Sequence, residues 1–317
     1  MMNPQGDDDM GRMEWRGTPV LRDGGRHAVF ALLRWSGLPL LARRILQRGR
    51  TTILLYHDID ARTLDLHLTA LRPRCHLVSL RDYVVARTQR HTDPLPPRPL
   101  IITLDDGLRS QHALLEVFRK HAVTPTIFIC SGIVGTHHRF WFMAQPNRRE
   151  VERLKRIPDE ERLASLASVG YRETGSYPDR SALSLAEINE MSEAVDFQAH
   201  TVFHPILTQC TDERAWKEIS ECRRSLQQNL GLDVCAFAYP NGSYSDREVG
   251  YVSKAGYTCA VTTDLGFNDS TTDLLTLKRI CIPPGAGANE IIVRASGLAS
   301  YLKRLVRGRQ SPEVHRG

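Results

Sequence analysis

No stretch of this chain stays apolar long enough to cross a bilayer. The nearest candidate, residues 28–42 (AVFALLRWSGLPLLA), is broken by Arg34, Gly37 and Pro39, whereas a spanning helix needs about 20 apolar residues. The N-terminus MMNPQGDDDM lacks a basic segment followed by an apolar one, so no secretory signal is recognised. Paired cysteines are missing as well. The 7 cysteines are odd in number and scattered singly, without a Cys-x-x-Cys, and several sit in apolar runs, such as Cys130 in TIFIC and Cys259 in YTCAV. They read as buried, reduced thiols, which together with the missing signal leads us to expect a cytoplasmic location. No basic stripe interleaved with aromatics occurs, which argues against nucleic acid as a partner.

What is present is ordinary globular composition, 41% hydrophobic and 25% charged. The net charge of +6 gathers near the ends, at Arg43, Arg44, Arg48 and Arg50 and again at Lys303, Arg304, Arg307 and Arg309. These basic residues read as solvated helix faces, or as a peripheral contact with an anionic membrane or an acidic glycan. The run 28–42 suits either a packed N-terminal helix or one lying on a membrane surface.

From residue 51 onward, short aliphatic and β-branched runs alternate with amphipathic stretches. Strands are expected at 51–56, 76–80, 99–104, 125–130, 194–199, 234–239, 257–261 and 277–282. A helix is expected in ERAWKEISECRRSLQQNL, where Trp216, Ile219, Leu226 and Leu230 share a face, and another in SQHALLEVFRKHA, opened by Ser110. About eight such alternations predict an α/β fold, a closed or nearly closed (β/α) barrel with its chemistry at the strand C-termini. The expected divisions are an N-terminal segment 1–50, a barrel 51–285 with a polar insertion at 137–183, and a C-terminal helix and tail 286–317. Phe140, Trp141 and Phe142 open the insertion, and a groove rimmed by Trp141 and Tyr244 would favour a polymeric substrate.

Three polar clusters end strands. Asp105-Asp106-Gly107 places two adjacent carboxylates on opposite sides of the chain, so one can bind a cation while the other faces a water, although Asp-Asp-Gly is also a common turn. His200 and His204, four apart, would share one face of a helical turn. Two imidazoles and one carboxylate make a three-ligand site with an open position, as a hydrolytic metal requires. Tyr239-Pro240-Asn241-Gly242 reads as a simple turn or as a rigid loop aiming a backbone N–H at a developing oxyanion.

TLDDG, HTVFH and FAYPNG, in that order, resemble the first three motifs of the NodB-type polysaccharide deacetylases, carbohydrate esterase family 4. The resemblance covers roughly residues 51–285 and implies a distorted (β/α) barrel that removes N-acetyl groups from an amino-sugar glycan. It implies that Asp106, His200 and His204 hold a divalent metal, zinc first among candidates. Asp105 would be the general base, and the Asn241 N–H would help hold the oxyanion. The family's late Leu-x-His, whose histidine protonates the leaving amine, is absent from the C-terminal half. Leu55-Tyr56-His57 fits that pattern at the front instead, an arrangement similar to the circularly permuted exopolysaccharide deacetylases, which makes His57 the general acid. Alanine stands at 238 where many relatives carry an arginine that orients the base; Arg279 is the substitute, and Asp264 the expected buttress of His57. The competing readings are a glycan-binding relative without activity and an amidohydrolase of a small non-sugar amide. The intact set of Asp105, Asp106, His200 and His204 argues against the first.

Overall fold

The computed structural model describes residues 23–89 and 94–307. Its frame is eight parallel strands: β1 (Thr52–Tyr56), β2 (His76–Leu77), β3 (Pro99–Leu104), β4 (Thr126–Ile129), β5 (Asp196–Ala199), β6 (Ala236–Ala238), β7 (Cys259–Leu265) and β8 (Leu277–Cys281). β1 pairs with both β3 and β8, so β1, β3, β4, β5, β6, β7 and β8 close a ring of seven. β2 extends the sheet beside the first residues of β3. The expected barrel is therefore present. The chain's first strand sits between the strand carrying Asp105 and the last strand.

Alternation along each strand sorts the side chains. Ile53, Ile101, Phe128, Ala236, Ala238, Cys259, Val261 and Leu277 form one buried cluster inside the ring. The opposite faces, including Leu54, Ile102, Ile127, Phe197 and Phe237, pack beneath the surrounding helices in a larger cluster. Residues further along the same inward phase, such as Asp105, His200 and Arg279, are thereby carried toward the carboxyl rim.

The local signals that differ from expectation have physical causes. The run 76–80 is a strand only at His76–Leu77, because Ser79 caps the helix Leu80–Thr88 in a reciprocal capping box with Asp82. Ser110 opens no α-helix. It lies in a 3-10 turn, Arg109–Leu114, its hydroxyl donates to Asp58, and the α-helix starts at Leu115. The insertion folds into helices Arg148–Leu154 and Asp159–Ala167 around a small core of Trp141, Leu154, Leu166, Tyr171 and Ile206. Trp141 is fully buried, so it is no groove rim. The N-terminal run forms two helices, Asp23–Trp35 and Leu38–Leu46, packed on the helix Ala288–Ala295 and the start of Leu298–Arg307. All seven cysteines are free thiols.

Gly107 turns the chain out of β3 at φ +69°, and a Cβ there would stand 2.6 Å from Cγ2 of Ile129. Gly107→Ala should therefore lose about 2–4 kcal/mol of stability in denaturant unfolding; an unchanged midpoint would contradict this account of the turn.

Candidate active site

The rim gathers residues from four strands. Asp105 and Asp106 follow β3, His200 follows β5, His57 follows β1, and Arg279 and Cys281 belong to β8. Backbone bonds tie the first of these together: Asp105 N–H donates to the Tyr56 carbonyl at 3.1 Å, and Ile282 N–H to that of Leu55 at 2.9 Å. The Gln111 amide then bridges the carbonyls of His57 and Asp105, at 2.9 and 2.7 Å.

Asp106, His200 and His204 are all buried, with one ligand atom from each lying within 4.8 Å of the others. Nε2 of His200 and of His204 stand 3.5 and 3.4 Å from Oδ1 of Asp106. That oxygen is buried without a hydrogen bond, a costly state that a cation would relieve. Nδ1 of His200 is engaged by the Ala238 carbonyl at 2.8 Å, which turns Nε2 toward Asp106 as ligand imidazoles require. Burial and the neighbouring His200 push His204 down to about 3, so its ring is neutral. Burial alone would raise the Asp106 carboxyl, but the two imidazoles and the charge of His57 hold it well below its ordinary value. A carboxylate and two imidazoles suit zinc and related divalent ions.

The convergence is not made by a helical turn. Residues 200–206 are loop, and Thr201 (φ 68°) and His204 (φ 60°) both adopt the left-handed region. Asp106 (φ 77°) and Asn241 (φ 58°) do so as well, so four non-glycine residues of the rim share a conformation that costs on the order of 1–3 kcal/mol each. A β-branched threonine is among the residues least suited to it.

Asp105 takes a different partner. Both its oxygens accept from the Arg279 guanidinium, at 2.7 Å each, and the same group donates to Thr103 Oγ1 at 3.2 Å and to the Thr262 carbonyl at 2.8 Å. Burial would raise the Asp105 carboxyl; Arg279 first, then His200 and His57, hold it below its usual range, so it is ionised at neutrality. Burial would lower His57, but a hydrogen bond with Cys281 and the charges of Asp106 and Asp105 push it up to about 9.

Asp264 is not its buttress. The side chain is exposed and accepts from the Tyr244 hydroxyl at 2.6 Å. Alternation explains the exchange: Leu277, Arg279 and Cys281 share the inward face of β8, whereas Asp264 is out of phase with the inward Cys259 and Val261 and follows a break in register between Val261 and Leu265. Asn241 lies in the turn Pro240–Gly242, its amide donating to Ser243.

A family model, polysaccharide deacetylase, matches residues 92–260, just over half of the chain. This protein belongs to the polysaccharide deacetylase family. The matched stretch holds all three motifs of this deacetylase and leaves out β1 with His57 and β8 with Arg279 and Cys281. Solved structures share the fold at low identity. A Streptococcus pyogenes deacetylase, PplD, in complex with acetate has 19% identity and a TM-score of 0.59, over 78% of this chain and 99% of that one. IcaB from Ammonifex degensii has 17% identity and a TM-score of 0.58, over 79% and 99%. The deacetylase domain of BpsB from Bordetella bronchiseptica has 15% and 0.54, over 74% and 96%. No curated protein matches the chain significantly in sequence.

Two supports of the deacetylase's histidine loop escaped the sequence reading. Glu218, on the helix Asp212–Leu230, accepts from the N–H groups of Val202 and Phe203 at 2.8 Å each. Trp141 donates to the His204 carbonyl at 2.8 Å. Arg214 joins Glu218 (3.1 Å) to Glu173 of the insertion (2.7 Å), and Arg162 lies 4.8 Å over the Trp141 ring. Only a spacing of helix to loop across the fold, invisible in a linear motif, brings Glu218 there. Glu218→Ala should weaken zinc binding by roughly 10–100-fold in calorimetric titration. Glu218→Gln, keeping an acceptor oxygen, should recover part of it. Wild-type affinity in Glu218→Ala would show the loop to be held by other means.

Proposed function

We propose that this protein hydrolyses N-acetyl groups on an amino-sugar polysaccharide or related glycan, releasing acetate, with a divalent cation, zinc first, held by Asp106, His200 and His204. The observation that carries the reading is the pairing, on one rim, of a buried three-ligand cradle with an ionised carboxylate that is not part of it. A binding module has no use for that second carboxylate. When bound, the cation supplies Lewis-acid polarisation of the acetyl carbonyl and makes water acidic enough to attack at neutral pH.

The protein's own residues do the rest. Asp105, fixed by Arg279, accepts a proton from the attacking water as the new C–O bond forms. The Asn241 N–H is the proposed donor to the developing oxyanion. His57, whose basicity the neighbouring carboxylates raise, gives a proton to the nitrogen as the C–N bond breaks, so the amine leaves neutral and acetate remains. Cys281, on the neighbouring strand β8, also raises the basicity of His57.

The test is acetate release from N-acetylglucosamine oligomers, with and without chelator. Chelation should abolish release and zinc should restore it. Asp105→Asn should keep the metal and lose roughly 10²–10⁴-fold in turnover; near-normal turnover would refute the base. Activity should fall as pH rises through the pKa of His57, because the acid is then deprotonated. A cation at Asp106 would cancel part of the field that raises it, so the fall is expected between 6.5 and about 9. His57→Ala should lower the rate and remove this dependence with metal content unchanged, and metal loss instead would make His57 a ligand.

A further inference from the structure

The two N-terminal helices have one face too many. Their inner face is committed: Phe30, Leu33, Ala42 and Leu46 pack with Val293 and Leu298, Arg26 forms a two-point ion pair with Glu290 at 2.9 Å, and Gln47 donates to the Ala295 carbonyl at 2.6 Å and to Thr52 at 3.0 Å. A surface helix with a buried stripe ordinarily presents polar residues outward. Here the outward side carries Leu32, Trp35, Leu40, Leu41 and Ile45, with Leu32 74% and Trp35 77% exposed. Tyr301 and Leu302, on the neighbouring helix Leu298–Arg307, are exposed too. Isolated exposed leucines mean little, but a contiguous group on anchored helices marks a surface that something covers.

Charge decides what covers it. Between Asp23 and Asp58 the sequence holds six arginines and not one acidic residue; Arg26 pairs with Glu290, Arg50 with Asp269, and Arg43 is buried, which leaves Arg34, Arg44 and Arg48 for the outward side. Arg44 and Arg48 are exposed beside the apolar group, and the Arg34 guanidinium lies 4.9 Å from the Trp35 ring. Two copies of this face packed on a two-fold axis would set arginine against arginine with no carboxylate from the segment between them. An anionic lipid leaflet supplies both missing parts, hydrocarbon for the leucines and phosphate for the guanidinium groups, and tryptophan favours that boundary. Neither helix is long and apolar enough to cross, so it would lie in the plane.

We infer that the helices Asp23–Trp35 and Leu38–Leu46 form a peripheral docking face for an anionic membrane, with Leu32, Trp35, Leu40, Leu41 and Ile45 entering the headgroup boundary. The experiment is co-sedimentation of the full chain with phosphatidylcholine vesicles and with vesicles also containing phosphatidylglycerol. The protein should pellet with the second far more than with the first, and added salt should weaken it. Arg44→Glu and Arg48→Glu should each weaken binding roughly fivefold or more. Trp35→Ser with Leu41→Ser should abolish binding, while acetate release from soluble oligomers stays at the wild-type rate, which separates this proposal from the catalytic one. Absence of binding to either vesicle, or binding that these variants leave unchanged, would overturn it. So would a dimer in light scattering that the Trp35→Ser, Leu41→Ser variant converts to monomer, since the face would then belong to a second copy.

Discussion

A ring of parallel strands has all its carboxyl ends at one rim, and that constraint gives the molecule its chemistry. Asp106, His200 and His57 are far apart in sequence, yet each is within two residues of a strand end. Closure also makes chain order irrelevant at the rim. β1 bonds to β3 on one side and β8 on the other, so a histidine that ends the first strand stands beside the end of the last one. The departure of this chain from the usual order of motifs costs the site nothing in space.

The barrel interior carries a charged pair that a purely stabilising core would omit. Arg279 and Asp105 are almost completely buried, and removing one partner of such a pair costs about 3–5 kcal/mol because the other is left uncompensated. The guanidinium spreads its donors over Asp105, Thr103 and the Thr262 carbonyl. What this arrangement gains is a carboxylate whose orientation and ionisation are fixed before substrate arrives. The left-handed residues around it belong to the same economy. Thr201 and His204 adopt unfavourable backbone conformations because Glu218 and Trp141 take up the polar groups of the loop.

Much of this was legible in the sequence, and the parts that were not share a cause. The strands and the meeting of Asp106, His200 and His204 follow from periodicity and from motif residues adjacent to strand ends, and the nearness of Arg279 to Asp105 from the resemblance. The path of residues 200–206 was not legible, because four-residue spacing between histidines suits a helical turn equally well. Trp141 lies in a core and not on a rim; an aromatic at the head of a polar insertion gives no sign that the insertion builds its own core. Asp264 is expected from the resemblance alone, whereas alternation along β7 and β8 turns it out of the inward phase that Cys281 shares. Glu218 lies mid-helix, and nothing local distinguishes it from a solvated glutamate.

The central claim is that one cation sits among Asp106, His200 and His204. Anomalous diffraction at the zinc edge, from crystals grown with zinc, tests it most directly. The account predicts a peak about 2.0–2.2 Å from Oδ1 of Asp106 and from Nε2 of both histidines. A zinc-bearing crystal whose only peaks lie elsewhere, with that cradle empty, would contradict it.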